Sequence, residues 1–282
     1  MKRYLFLLSL LGLLASCEKP ILSEDYVAPK GNLTLKVSPY SMTTRSASLG
    51  ESFTKINAQF FNTSNATAAL SKVYTQTTED ENFGTLSFNL APSTYRVIVV
   101  GHSSTRSATI AYDKVSFTAA NGKKITDTFW YCDTIMVTEE ASVRTIDVDR
   151  AVAMFRLKLT DEVPETVSQF EFYYTGGSAD FNPKTGNGIT NSKQSEIREV
   201  NDENIYEVFT FPKDNNKLKV KVSALDESGT IIATKEFQDV PVKANSITTY
   251  QGAFFDGNTV VSGNPISITV NSEWDEENKF NF

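Results

Sequence analysis

Two cysteines and one histidine are the residues of this 282-residue chain best suited to reactivity, and one of them stands in a context that specifies a reaction. Cys17 follows Leu14-Ala15-Ser16, and ahead of these lie Lys2, Arg3 and an apolar run over residues 4–14 broken only by Ser9 and Gly12. A basic start, a short apolar stretch and small residues at the cut make a secretory signal. The run is far short of the ~20 residues a membrane-spanning helix needs. A leucine three places before the cysteine, with small residues between, matches a bacterial lipobox. The expected chemistry is cleavage of a signal peptide, residues 1–16, and acylation of Cys17, so covalent lipid on Cys17 is the one non-protein group expected. Each buried CH₂ contributes roughly 0.8 kcal/mol, and two lipid signals hold a protein stably where one does not. An acylated Cys17 would therefore fix the chain to a membrane for as long as the polypeptide behind it stays whole.

The rest of the reactive inventory is thin. His102, between Gly101 and Ser103 at the end of an alternating run, reads as a turn residue. One histidine and one spare cysteine cannot build a His-based zinc site, and the chain has neither G-x-S-x-G, H-E-x-x-H nor a Walker loop. With Cys17 given to lipid, Cys132 has no cysteine partner; the fold must stand without disulfides, and the thiol reads as a small buried apolar group. Asp180-Phe-Asn182-Pro-Lys184-Thr-Gly186 is like a calcium loop, but Lys184 occupies a ligand position and Asn191 stands where a bidentate glutamate is needed. The carboxylates Glu139-Glu140 and Asp275-Glu276-Glu277 fall in turn or tail contexts and read as solvated charge rather than a glycosidase dyad. No enzyme, metal site or small-molecule substrate is expected. With 27 Lys+Arg against 34 Asp+Glu, net −7, and no basic cluster, nucleic acid is not an expected partner either. Tyr173, Tyr174 and Trp274 are the available platforms for a surface glycan, although strand aromatics more often form core or cross-strand pairs.

The elements that would carry these residues are short. Residues 17–31 read as a lipidated polar tether. Over residues 32–37, Leu33, Leu35 and Val37 alternate with Thr34 and Lys36, a half-buried strand. Arg45 lies beyond it in a polar stretch with Ser41, Thr43, Thr44 and Ser46, an exposed loop. A second strand is expected over 53–61 and a short helix over 66–74. Leu86, Phe88 and Leu90, then Tyr95, Val97 and Val99 across Pro92-Ser93, read as a hairpin. In the second half, Leu218, Val220, Val222 and Ala224 alternate with Lys217, Lys219, Lys221 and Ser223, the most regular amphipathic strand of the chain. Turn signals every eight to twelve residues or so and almost no helical pattern predict an all-β chain of two β-sandwich domains, 32–149 and 150–282.

Several stretches carry a family resemblance: R-A-V-A-M-F-R from Arg150, F-E-F-Y-Y-T-G-G-S ending at Ser178, T-G-N-G ending at Gly188, N-S-K-Q ending at Gln194, V-F-T-F-P ending at Pro212, and D-V-P-V-K-A-N-S-I-T-T-Y-Q-G-A-F-F ending at Phe255. With the lipobox and the N-L-T-L-K-V strand they resemble the fimbrial anchor and accessory subunits, the fimbrillin-associated lipoproteins of type V pili. Asn187 departs from the bulky or aromatic residue often found there. The resemblance implies two tandem transthyretin-like Greek-key β-sandwiches, export as a lipoprotein, display on the cell outer membrane, and a part in cell adhesion through pilus attachment and length control. The implied partners are fimbrillin subunits and, through the lipid, the outer membrane.

The resemblance also implies strand exchange, in which a trypsin-like protease cuts behind the first strand, that strand leaves, and a neighbour's C-terminal strand fills the groove. Arg45 is where such a cut would fall. The same cut would separate Cys17 from the body, so a molecule that stays anchored keeps its first groove filled and accepts no strand there. It could still donate one: Ile266, Ile268 and Val270 alternate after the Gly263-Asn264-Pro265 break, in a segment 265–282. Two other readings stand beside the anchor: a polymerising stalk or tip fimbrillin matured by cleavage after Arg45, and a surface glycan-binding lipoprotein.

Overall fold

The computed structural model describes residues 31–39, 49–118, 125–213, 217–255, 260–261, 267–271 and 274–282. The first half runs β1 (Leu33–Pro39), one short helical turn α1 (Leu49–Ser52), β2 (Lys55–Asn62), β3 (Tyr74–Thr77), β4 (Thr85–Phe88), β5 (Ser93–His102), β6 (Thr109–Ala111), β7 (Lys114–Ser116), β8 (Phe129–Val137) and β9 (Ser142–Arg150). The second runs β10 (Ala153–Leu159), β11 (Gln169–Thr175), β12 (Asp180–Phe181), β13 (Gln194–Glu199), β14 (Ile205–Thr210), β15 (Lys217–Leu225), β16 (Ile231–Pro241), β17 (Ser246–Gly252), β18 (Val260–Val261), β19 (Ser267–Asn271) and β20 (Trp274–Asn281). The chain is all-β, as its alternation predicts.

The seven-stranded sheet β3-β2-β5-β8-β9-β1-β4 folds over at β8–β9, where Phe129↔Arg150 and Trp130↔Asp149 are the paired residues. The layer β4-β1-β9 thereby packs on β3-β2-β5-β8. Leu33, Leu35, Leu86, Phe88, Ile146 and Val148 from one layer meet Ile56, Phe60, Tyr95, Val97 and Val99 from the other in a shared core. The Phe60 and Phe88 rings cross at 4.6 Å. The second half repeats the plan. β10 lies between antiparallel β14 and parallel β17, as β1 lies between antiparallel β4 and parallel β9. Opposite it, β13-β11-β15-β16 repeats the order β3-β2-β5-β8. Phe155, Leu157, Tyr206 and Tyr250 fill the inside against Phe172, Val220, Val222 and Phe237. Two strands extend this copy: β20 pairs parallel with β17, and β19 closes the sheet by pairing antiparallel with β20.

A third core joins the halves. Ile98 and Val100, on the face of β5 turned away from its own sandwich, pack with Ile110 and Val115 of β6–β7 and with Val152, Met154, Phe181, Phe211 and Ile247. Phe117 stacks on Phe211 at 5.7 Å. Both faces of β5 are therefore buried, which explains its near-continuous apolar run.

Two expectations are corrected here. Residues 66–74 form no helix: Ala66 has φ 55°, left-handed backbone that ends any helical run, and Ala68 bridges Phe61 instead. β4 and β5 are not a hairpin either. β4 pairs with β1 in one layer and β5 with β2 and β8 in the other, so Pro92-Ser93 carries the chain across the sandwich.

Candidate functional site

The first strand of the chain occupies the middle of its layer. β1 pairs antiparallel with β4 from Leu33↔Phe88 to Lys36↔Thr85, and parallel with β9 from Leu33↔Ser142 to Pro39↔Val148. Leu33 and Leu35 are completely buried, each worth roughly 1.5–3 kcal/mol relative to exposure. Asn32 pins the entry: its side-chain amide donates to the carbonyls of Leu90 and Thr138, both at 2.8 Å, and its Oδ1 accepts from the Leu90 N–H at 2.9 Å. Farther along, the Val37 N–H donates to the Gly84 carbonyl at 2.8 Å. Gly84 has φ +92°, a backbone state open to a residue without Cβ. Without β1, β4 and β9 would face each other across a row of unpaired backbone groups and two apolar sockets, a slot that another alternating strand could fill.

Cys17, Arg45 and Ile266 lie outside the described residues. Ile268 and Val270 lie on β19, the end strand of the sheet β14-β10-β17-β20-β19, whose backbone pairs with β20 on one side, as in Ile268↔Asn278. The segment 265–282 is not uniform. Phe280 of β20 is buried and stacks on Tyr250 at 4.4 Å and 10°, inside the second core. β20 is thus structural, and β19 is the strand at the margin.

His102 is not a turn residue. It is the last residue of β5 and wholly buried, and its ring lies edge-on to Phe117 at 5.1 Å. The Ser104 N–H donates to Nδ1 at 3.1 Å, so Nε2 bears the proton and donates to Asn57 Oδ1 at 2.8 Å. Burial first, then the nearby Lys55 charge, lowers its pKa to about 3. Cys132 on β8 is a free, half-buried thiol at the edge of the third core, its pKa raised chiefly by burial. Of the aromatic platforms, Tyr174 is excluded: it is completely buried, and its hydroxyl donates to Glu196 at 2.6 Å. Tyr173, one position before it, points outward and is 39% exposed. The side chain of Trp274 lies outside the described residues.

The loop that resembles a calcium site does different work. Asp180 is paired with Lys114 of the first half at 2.8 Å and accepts from Ser178 and Thr190 at 2.9 Å each. No group of acidic, histidine or cysteine residues able to hold a metal occurs among the described residues. β12 pairs with β7 of the first half, Asp180↔Ser116 and Phe181↔Val115. Past it, the Trp130 indole N–H donates to the Pro183 carbonyl at 2.7 Å, and Gly186, at φ +74°, lies so close to the Trp130 ring that a Cβ would fall 2.7 Å from it. Arg150, at the junction, donates to both carboxylate oxygens of Asp127 at 2.8 and 3.0 Å and to Asn245 at 2.9 Å. The sequence does not announce this clamp, because the pairing of β7 with β12 joins residues some 65 positions apart through a two-residue strand. The one local sign of it is the glycine pair flanking Asn187.

A family model covers residues 30–281. The chain belongs to DUF6562, a family of unknown function. The matched span of this DUF6562 protein takes in β1 and all of β20. No curated protein matches it. Among solved structures, a candidate adhesin from Bacteroides ovatus is similar at TM-score 0.50 and 12% identity, over 89% of this chain and 86% of that one. A fimbrial assembly protein from Parabacteroides distasonis is similar at TM-score 0.43 and 11% identity, over 80% and 92% of the two chains. The fimbrial anchor protein Mfa2 from Porphyromonas gingivalis is similar at TM-score 0.42 and 8% identity, over 72% and 80%. At such identities, what the DUF6562 protein shares with the B. ovatus structure is its fold.

Proposed function

We propose that this DUF6562 protein is an outer-membrane lipoprotein, matured by removal of residues 1–16, held by lipid on Cys17, and working uncut as an anchor or accessory subunit of a pilus in cell adhesion. The two sandwiches, 32–149 and 150–282, form its body. The observation that carries the reading is the central place of β1. A pull on Cys17 reaches the body through Asn32 and a strand bonded on both edges, so the load falls along rows of backbone hydrogen bonds and two buried leucines. A cut after Arg45 would leave that joint non-covalent. With β1 in place the slot is full, so no subunit can be added there and growth ends at this molecule. β19, at the sheet margin, is the strand it has to give, and its partner is a fimbrillin subunit.

Co-purification from a detergent extract of the outer membrane tests this. The wild-type chain should bring pilus subunits with it. Ile268→Asp with Val270→Asp, which places charge at alternate positions of β19, should leave the protein membrane-bound and folded but without those subunits. Pilus subunits retained at wild-type level by the double variant would refute β19 as the donor.

A further inference from the structure

The outer face of the second sandwich carries a hollow that neither the fold nor the anchor requires. β15 and β16 pair in steady register from Val220↔Phe237 to Ala224↔Ala233, with a shift at each end; at one of them Leu218↔Val240 gives way to Val220↔Phe237, so β16 holds one residue more than β15 across that step. The extra residue is accommodated at Asp239, a non-glycine at φ 54°, a costly state that persists only where the surroundings impose it. Bulges of this kind bend a strand and re-aim its side chains. Here the bend opens a hollow of about 230 Å³ lined by Tyr173, Thr175, Lys219, Lys221, Glu236 and Gln238. Tyr173 lies directly across from Lys221 and Thr175 across from Lys219. Lys219 and Lys221 are exposed and form no ion pair among the described residues. Lys217 continues the row, about 6.8 Å per two residues along the strand.

A charge row on a strand is ordinarily a solvated face. Three features separate this one from that default. The lysines form no ion pair among the described residues, although the chain is acidic, net −7, and Glu236 lies directly across from Lys221. An exposed aromatic ring, Tyr173, lies beside them on the neighbouring strand. A strained bulge makes the surface concave where they meet. On an acidic molecule such a positive strip is where a polyanion can approach without repulsion. The tyrosine offers an apolar face with a polar tip, and Gln238, Glu236 and Thr175 offer donors and acceptors to hydroxyl groups. A ligand with carboxylates at regular intervals, a flat apolar ring face and many hydroxyls meets all of these together. We propose that this hollow is a docking site for an acidic polysaccharide, with uronate carboxylates on Lys219 and Lys221 and a sugar ring on Tyr173. The site lies on the face of its sheet, not its margin, so it stands or falls independently of the anchor reading.

Binding of the full-length purified protein to polygalacturonate, with dextran as a neutral control, tests the proposal. The wild-type protein should bind polygalacturonate and not dextran, less tightly as salt rises from 50 to 200 mM or so. Lys219→Gln with Lys221→Gln should weaken binding about tenfold or more. Tyr173→Ala should weaken it several-fold while Tyr173→Phe, which keeps the ring, should not. Lys72→Gln, an exposed lysine of the other half, should bind as wild type. All are surface changes, and an unaltered thermal midpoint shows that the fold is kept. The proposal is overturned if the wild-type protein does not bind polygalacturonate, or if the double lysine variant binds as well as Lys72→Gln.

Discussion

His102 shows how far a residue's neighbours in space can depart from those in sequence. Gly101 and Ser103 beside it suggest a turn, but Asn57, 45 residues away, accepts its Nε2 proton, and the same Oδ1 accepts the Ala108 N–H at 2.7 Å. The ring is therefore a neutral strut between β2, β5 and the loop before β6. Its pKa, about 3 instead of 6.5, sets a pH dependence whose sign is fixed. The unfolded chain takes up a proton below pH 6.5 and the native one does not until about pH 3, so stability is full above that range and falls as acid is added. The loss is about 1.4 kcal/mol per pH unit at most. Urea midpoints should drop from pH 7 to pH 5, and His102→Gln should drop by less over the same interval. An equal drop in both proteins would contradict the assignment. The expectation for Cys17 is of the opposite kind, since every residue it rests on is adjacent in sequence.

At the scale of elements, strands with one wet face could be read directly. β15 buries Leu218, Val220, Val222 and Ala224 and exposes Lys217, Lys219 and Lys221, just as its alternation requires. What could not be read was partnership. The Pro92-Ser93 turn signal fits a hairpin and a crossing between layers equally, and only the burial of both faces of β5 separates them. The pairing of β7 with β12 left no local trace beyond the glycines that let its loop approach Trp130. Two tests belong here. Leu35→Ala should cost about 2–5 kcal/mol by chemical denaturation, whereas Lys36→Ala, at an exposed position of the same strand, should cost much less, roughly 0.5 kcal/mol; equal losses would mean that β1 is not seated in the slot. Gly186→Val adds a branched side chain against the Trp130 ring at a left-handed φ. It should open the clamp, seen as faster limited proteolysis within residues 178–192, with both sandwiches still folded. Unchanged proteolysis would show that the loop does not hold the halves together.

The whole molecule is two copies of one seven-strand plan, fused through a third core and differing where it matters for assembly. In the second copy the first strand, β10, continues from β9 through two buried residues, Ala151 and Val152, and can go nowhere. In the first copy the first strand is joined to the segment that carries Cys17 on one side and to the segment that carries Arg45 on the other. Its fate therefore depends on one peptide bond. On the proposed reading, the molecule left whole would be a base held by lipid with its slot closed, and cut after Arg45 it would become a free unit with a slot to be filled. The mass and amino terminus of the protein recovered from the outer membrane decide between these most directly. The anchor account predicts a single chain that begins at an acylated Cys17, takes up labelled palmitate, and runs unbroken through Arg45. A chain that begins at Ser46 and carries no lipid would contradict it.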